Sequence, residues 1–234
     1  MPQIHVASSP VEVAARVATT IEGIAGAAIR DRGRASLALP GGSVADTCLP
    51  RLTSVRLEWR RVHVAFGDDR AVPPDDADSN YGRASRLLLS RVPVPSAHVY
   101  RIPGESPDLD VAAADYERTL VGALGTPPVI DVVLLGVGED GHVCSLFPGH
   151  DVAPAPAGWV AAVRDAPKPP PRRLTLTMPT LLAARHVLVV AMGAAKAPAI
   201  REALADQASL LPVARVLHAG QQVELVLDTA AAAP

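Results

Sequence analysis

The sequence is poor in aromatic residues, lysine and cysteine, and each scarcity limits what the protein can be. Phe, Trp and Tyr make up 3% of the chain and hydrophobic residues 49%, so the core must be built from Ala, Val, Leu and Ile. The two cysteines, Cys48 and Cys144, form neither a disulfide framework nor a metal-binding spacing, which is typical of a reducing compartment. Only two of the 22 basic residues are lysines, Lys168 and Lys196, so arginine is the usual cation here.

Targeting and membrane signals are also missing. No apolar run reaches the ~18 residues of a membrane span, and no N-terminal segment has the order of a signal peptide. The net charge of −2 gives no general attraction to nucleic acid or anionic membranes, so any bound anion must be held by a local site. We therefore expect one cytoplasmic domain over residues 1–234, monomeric or a small homo-oligomer, without nucleic-acid or membrane partners.

Strand-like and helix-like segments alternate along the chain. Apolar runs predict strands over 3–7, 35–39, 61–66, 98–102, 130–137, 159–163, 174–178, 186–192 and 223–228. Capping signals and helical periodicity predict helices over 10–32, 81–91 and 212–218, and three more that end near 52, 125 and 206. This alternation predicts an α/β fold with a mainly parallel sheet that is covered on both faces. Ligands bind such sheets beyond the carboxyl ends of the strands.

Two segments that follow predicted strands have the character of anion sites. The turn Gly41-Gly42-Ser43 precedes a helix whose unpaired N–H groups could hold a phosphate or a carboxylate. The alternative is an ordinary tight turn in which Ser43 caps the helix. Arg70 lies beyond another strand among carboxylates that can orient it, so its guanidinium could grip a phosphate bidentately. The alternative there is a solvated cluster of charges.

The strongest predicted strand, 130–137, leads into a glycine-rich turn that holds Asp140 and His142. Histidine titrates near neutral pH and is a natural general base for the activation of water. A structural histidine is the alternative, but an acid and several glycines at a strand end favour catalysis. Lys196 follows the strand 186–192 and opens a helix, where the dipole disfavours a cation unless an anion binds. Lys168, in a proline-rich link, carries no comparable argument.

Together these motifs resemble the 6-phosphogluconolactonase family over nearly the whole chain and in the family's order. The motifs are Gly41-Gly42-Ser43, Gly67-Asp68-Asp69-Arg70-Ala71-Val72-Pro73 with Ser79-Asn80, Leu135-Gly136-Val137-Gly138-Glu139-Asp140-Gly141-His142 through Gly149, Pro171-Arg172-Arg173-Leu174-Thr175, and Gly193-Ala194-Ala195-Lys196. The resemblance implies a Rossmann-like fold of the sugar-phosphate isomerase and deaminase group. It also implies hydrolysis of 6-phosphoglucono-1,5-lactone in the oxidative pentose phosphate pathway.

Carried onto this chain, the resemblance makes His142 the base that activates water, with Asp140 beside it. Arg70, Lys196 and the turn Gly41-Gly42-Ser43 would bind the phosphate of the substrate, and Arg173 matches a family arginine. Backbone N–H groups around Gly138 to Gly141 would stabilise the oxyanion, and no metal or cofactor is expected. Asp69 stands where the family usually has Glu, which bears on the orientation of Arg70.

Three alternatives remain at this point. Cys144 or Ser145 could act as a nucleophile, although neither sits in a recognisable elbow. An amino-sugar-phosphate deaminase or isomerase shares the fold, but that family typically continues after the histidine through Phe to Asn-Glu, where this chain reads Ser145-Leu146-Phe147. A sugar-phosphate sensor domain would need a DNA-binding segment, and we expect none because the chain begins with its first strand.

Overall fold

The structure is a computed structural model that describes residues 2–150, 152–154 and 157–233. Its strands are β1 (Gln3–Ala7), β2 (Ala35–Leu39), β3 (Val62–Phe66), β4 (Asp68–Arg70), β5 (Val132–Gly136), β6 (Ala153–Pro154), β7 (Val160–Val163), β8 (Arg173–Leu176), β9 (His186–Ala191) and β10 (Val223–Asp228). Its α-helices are α1 (Pro10–Arg32), α2 (Gly42–Leu52), α3 (Asn80–Leu87), α4 (Leu109–Leu124), α5 (Met178–Ala183), α6 (Ala197–Ala205) and α7 (Pro212–Ala219). In the part of the chain so described, no helix is both long and apolar enough to cross a bilayer.

Six strands form a parallel sheet in the order β1-β10-β9-β5-β2-β3. All five residues of β2 are buried, and nearly all of β5 and β9. Because successive side chains of a strand point to opposite faces, this burial means that both faces of the sheet are covered. The predicted α/β fold with a mainly parallel sheet is therefore confirmed.

The first helix shows how local signals produce the elements. The Ser9 side chain accepts a hydrogen bond from the Glu12 N–H, and the Glu12 carboxylate reaches back to the N–H of Ser8 at 2.9 Å. The first bond satisfies an N–H group that the first turn leaves unpaired, and the second ties the residue before the cap to the helix. At the other end Gly33 adopts a φ of 76°, which ends the helix in the left-handed region that glycine favours. Both ends of α1 agree with the sequence prediction.

A second sheet, with the order β4-β8-β7-β6, was not predicted as a separate unit. Its strands pair antiparallel, and β4 comes from the polar segment that the sequence pattern marks as a loop. In its register Arg70 lies opposite Arg173. The reason for the miss is that β4 is only three residues long and owes its extended form to pairing with β8, a distant segment.

The structure differs from the sequence prediction in two further places. Helix α5 was not predicted, and its first residue, Met178, falls within the predicted strand 174–178, which ends at Leu176 in the structure. The predicted strand 98–102 is wrong, because Ser96–His98 form a 3-10 turn and only Val99 makes an isolated bridge with Val64. The N–H groups of His98 and Val99 donate to Pro95 and Ser96, so they are not available for a ladder with β3.

A buried carboxylate ties α4 to the second sheet. Glu117 is 5% exposed, and its two oxygens accept from the N–H groups of Ala157 at 2.8 Å and Trp159 at 2.7 Å. The N–H of Val160, the first residue of β7, makes a longer bond at 3.4 Å. One side chain thus satisfies three N–H groups of the backbone that leads into β7.

We expect Glu117→Gln to destabilise the protein by about 1–3 kcal/mol, since an amide group would then face a backbone N–H as a second donor. Urea unfolding measures the loss. Asp115→Asn is the matched control, because Asp115 lies on the same helix in an exposed ion pair with Arg118 and should contribute only about 0–1 kcal/mol. Equal stability of the Glu117→Gln protein and wild type would contradict this role.

The order of the parallel sheet determines where a ligand can bind. From β2 the chain goes to β3 on one side, while β5 pairs with β2 on the other. The loops that leave the carboxyl ends of β2 and β5 therefore diverge and leave a crevice between them. The glycine turn at Gly41 follows β2, and the turn that carries His142 follows β5.

Candidate functional site

A cavity of about 190 Å³ lies at this crevice. Seven of the predicted site residues line it: Gly41, Gly42, Ser43, Arg70, His142, Arg173 and Lys196. Asp140 contacts His142 from behind rather than lining the cavity. Lys168, Asp68 and Asn80 also line it, although the sequence pattern assigned no site role to them.

His142 and Asp140 form a hydrogen-bonded pair, with Nδ1 of the imidazole 2.5 Å from Oδ1 of the carboxylate. Burial lowers the pKa of His142 below its ordinary value even though Asp140 acts in the opposite direction. Burial alone would raise the pKa of Asp140, but the hydrogen bond from His142 and the positive charges nearby lower it. An ionised Asp140 fixes the imidazole proton on Nδ1, which leaves the lone pair on Nε2 to accept a proton.

Glycine residues make room for this pair. A Cβ on Gly138 would lie 1.9 Å from Nδ1 of His142 and 2.5 Å from Oδ1 of Asp140, so only glycine fits beneath the ring. Gly141 turns the chain with a φ of 77°. The Gly138 N–H donates to the His142 carbonyl at 2.9 Å, and the Gly141 N–H to the Gly138 carbonyl at 3.0 Å. These two N–H groups therefore support the loop and are not free to hold an oxyanion. The expected oxyanion role stays a prediction for the N–H groups of Glu139 and Asp140.

The glycine turn after β2 starts α2 without a side-chain cap. Gly41 is the N-cap, and Gly42 begins the helix with a φ of 61°. The alternative in which Ser43 caps the helix is therefore wrong. A Cβ on Gly41 would lie 1.9 Å from Oδ1 of Asn80, so this position also requires glycine. The N–H groups in the first turn of α2 have no side-chain acceptor. They therefore form one wall of the cavity that suits an anion.

Asp69 holds the backbone of the acidic loop rather than the guanidinium of Arg70. Its carboxylate accepts from the N–H groups of Arg70 and Asn80, both at 2.7 Å, and of Tyr81 at 2.9 Å. Burial raises its pKa to about 6, although these three hydrogen bonds act in the opposite direction. The Arg70 guanidinium donates instead to the Asp78 carbonyl at 2.8 Å, which fixes its direction toward the cavity.

The two alternative nucleophiles lie beside a buried acid. Oδ2 of Asp68 accepts from the Ser145 hydroxyl at 2.6 Å, and Ser145 is fully buried. Burial raises the pKa of the Cys144 thiol well above its ordinary value, so it stays protonated at neutral pH. A buried hydroxyl and a neutral thiol are poor nucleophiles. The arrangement therefore favours attack by water.

Two lysines also line the cavity. Lys196 belongs to the 3-10 turn Ala194–Lys196 and directly precedes α6, one turn earlier than predicted. Its ammonium lies 3.6 Å from Oε1 of Glu139. The Lys168 ammonium lies 3.4 Å from Oδ1 of Asp140. Its proline-rich link has no periodic pattern, so no signal in the sequence pointed to it.

The family of the chain is decided by comparison with known proteins. A family model described as glucosamine-6-phosphate isomerases/6-phosphogluconolactonase matches residues 8–226. The chain belongs to this family. A protein named 6-phosphogluconolactonase from Rattus norvegicus is 42% identical, covering 98% of this chain and 92% of that protein. One of the same name from Mycobacterium tuberculosis is 41% identical, covering 90% of this chain and 89% of that protein.

Solved structures of the family agree with the fold. The 6-phosphogluconolactonase from Trypanosoma cruzi superposes with a TM-score of 0.88 at 31% identity, covering 99% of this chain and 96% of that one. A monomeric glucosamine-6-phosphate deaminase also superposes, with a TM-score of 0.83 over 98% of both chains. Its identity of 21% supports the shared fold only.

No group of three or more His, Cys, Asp or Glu side chains that could hold a metal ion occurs among residues 2–150, 152–154 and 157–233. The acids of the site are engaged by neighbouring donors instead: Asp69 by backbone N–H groups, Asp68 by Ser145, and Asp140 by His142. The chemistry that these residues support is acid–base catalysis beside a cationic cavity.

Proposed function

We propose that this protein hydrolyses 6-phospho-D-glucono-1,5-lactone to 6-phospho-D-gluconate, the second step of the oxidative pentose phosphate pathway. The observation that carries the proposal is the His142–Asp140 pair in a cavity lined by Arg70 and Lys196. A base beside cationic groups suits a reaction of water with a phosphorylated substrate. Relatives that carry the lactonase name over nearly the whole chain support it.

Substrate binding in this proposal starts from the phosphate. Arg70 and Lys196 supply positive charge, and the first-turn N–H groups of α2 at Gly42 and Ser43 add hydrogen bonds. With the phosphate held at this end, the sugar extends across the cavity and places C1 of the lactone near His142. Positioning of this kind removes much of the entropic cost of the reaction.

The chemical step uses His142 first as a base and then as an acid. Nε2 takes a proton from water as the water oxygen bonds to C1, and the carbonyl electrons move to the carbonyl oxygen. When the carbonyl reforms, the bond between C1 and the ring oxygen breaks. The ring oxygen receives the proton from His142 and becomes the hydroxyl group on C5. The new carboxylic acid then releases the second proton of the water to solvent, which gives the gluconate. Asp140 stabilises the imidazolium that exists between the two transfers.

The reaction is tested with freshly generated lactone, with spontaneous hydrolysis measured in a blank without protein. We expect the protein to accelerate lactone loss far above the blank and to leave glucosamine 6-phosphate unchanged. Release of ammonia from the amino sugar, without lactone hydrolysis, would replace this proposal with deaminase activity. Binding of sugar phosphates without either reaction would favour a sensor.

The pH dependence follows from the lowered pKa of His142. The base is competent only when neutral, so kcat/KM should be constant at neutral pH and fall as the pH drops through the pKa of the free protein. Because burial lowers that pKa, this acid limb of the profile should lie below about pH 6.5, the ordinary pKa of histidine. A profile of blank-corrected rates between pH 5 and 8 measures it, and a limb at or above pH 7 would contradict the assignment.

Two finer points belong to the same proposal. The two cysteines are free, and this supports a cytoplasmic location. A monomer or a small homo-oligomer is expected, and light scattering on the purified protein measures which of them forms.

A further inference from the structure

The proline-rich link between β7 and β8 brings a fixed positive charge to the catalytic pair. Lys168 Nζ lies 3.4 Å from Oδ1 of Asp140, and the same oxygen accepts from His142 Nδ1 at 2.5 Å. One carboxylate oxygen thus joins the ammonium to the imidazole. Asp140 lies 28 positions away along the chain, so the contact depends on the tertiary structure.

The position of Lys168 is held by a buried guanidinium. Arg173 is 4% exposed, and its Nη2 donates to the Lys168 carbonyl at 2.8 Å and to the Pro169 carbonyl at 3.2 Å. Its Nε donates to the Pro170 carbonyl at 2.9 Å. A single side chain therefore binds three consecutive carbonyl groups of the link. Lysine could not reproduce this fork of donors.

The same guanidinium supports His142 from the other side. The guanidinium carbon of Arg173 lies 5.5 Å from the centre of the Phe147 ring, a cation–π distance. The Phe147 ring centre lies 4.5 Å from that of His142. Arg173 is thus connected to the pair by two routes, through Phe147 to the imidazole and through Lys168 to the carboxylate.

We propose that Lys168 is a positioning residue that acts on His142 through Asp140, and that Arg173 holds Lys168 in place. The ammonium fixes the direction of Oδ1 of Asp140, and its charge adds to that of His142 in lowering the pKa of that carboxylate. Its charge also favours the neutral imidazole over the imidazolium. The effects of this inference on kcat and KM rest on the proposed lactonase function. Its effect on the pKa of His142 does not.

The charges that face His142 decide the sign of the effect. Burial favours the neutral ring most strongly, Asp140 and Asp68 favour the protonated ring, and Lys168 opposes them. The remaining cations that line the cavity are Arg70, Arg173 and Lys196. Removing the Lys168 charge therefore leaves the two acids less opposed and raises the pKa of His142.

The first test is the pH profile of Lys168→Met. We expect the acid limb of kcat/KM to move upward by about 0.5 pH unit, a reduced effect because the ammonium is partly solvated. We expect kcat at pH 7 to fall about 3- to 10-fold because the pair is less well ordered, with KM nearly unchanged. Lys168→Arg should restore the limb. Arg164→Met, which removes an exposed charge paired with Asp110, is the control and should leave the limb in place.

The second test does not depend on activity. The imidazole of His142 is titrated by NMR in the protein without substrate, with its signal identified by its loss in His142→Gln. Its midpoint should rise in Lys168→Met by the same amount as the kinetic limb. Because this readout needs no lactone, a shifted midpoint in a protein without lactonase activity would overturn the proposed function and leave the inference standing.

Arg173→Lys tests the holding role. It keeps the positive charge but loses the fork, so we expect the same upward shift as in Lys168→Met, and no further shift in the double variant. If Lys168→Met weakened substrate binding, with KM raised tenfold or more and the midpoint unmoved, Lys168 would be a substrate ligand. Unchanged KM, kcat and midpoint would make it a solvated lysine, and either result overturns the inference.

Discussion

Replacement of His142 by alanine should lower kcat by roughly 10²–10⁴-fold, the usual contribution of a general base. KM should change little, because Arg70, Lys196 and the turn at Gly42 remain to bind the phosphate. The protein should stay folded, since the ring is only partly buried and leaves a polar space at the edge of a cavity. Steady-state rates with fresh lactone, corrected for the blank, measure the effect.

Two variants separate the base from general effects of losing a histidine near Phe147. His142→Gln keeps a polar side chain of similar size and should be as inactive as the alanine variant. His150→Ala removes a nearby exposed histidine, whose ring centre lies 6.2 Å from that of Phe147, and should retain wild-type kcat. Full turnover by His142→Ala would eliminate His142 as the base.

Replacement of Gly138 by alanine should also reduce kcat strongly, although it removes no ionisable group. The added methyl group would lie 1.9 Å from Nδ1 and 2.1 Å from Cε1 of His142, distances at which the ring has to move. A displacement of about 1 Å in a catalytic group can cost on the order of 10²-fold in rate. We also expect a loss of about 1–3 kcal/mol in stability from overpacking.

Gly122→Ala is the matched control for this variant. Gly122 lies in α4, and a Cβ built there meets nothing within 4 Å. Alanine should therefore leave kcat unchanged and stabilise the protein by up to about 1 kcal/mol through helix propensity. Thermal unfolding and kcat are measured on both variants. Wild-type kcat in Gly138→Ala would show that the reaction does not depend on the position of the imidazole next to Gly138.

Caps, helix ends and glycine turns were predictable because they depend on backbone angles and on hydrogen bonds within a few residues. Ser9 and Gly33 mark the ends of α1 both in the sequence and in the structure. The parallel sheet was predictable because strands buried on both faces are continuously apolar. The turn with His142 was predictable because it directly follows the most apolar of these strands.

Contacts between distant segments were not predictable in the same way. The orientation of Arg70 depends on the carbonyl of Asp78 and on the pairing of β4 with β8, and neither leaves a pattern in nearby residues. The predicted strand 98–102 failed for a related reason. Its apolar residues suit a strand, but the turn at Ser96 uses the N–H groups that a ladder would need.

By itself the sequence determined the α/β class, the glycine turns and the arrival of Asp140, His142, Arg70 and Lys196 at the carboxyl ends of strands. These features depend on local backbone preference and on the alternation of apolar segments. Only the tertiary structure decided that Arg173 binds the proline-rich link and that Lys168 meets Asp140. Such contacts depend on the register between segments far apart in the chain, which the packing of the whole core determines and no local pattern encodes.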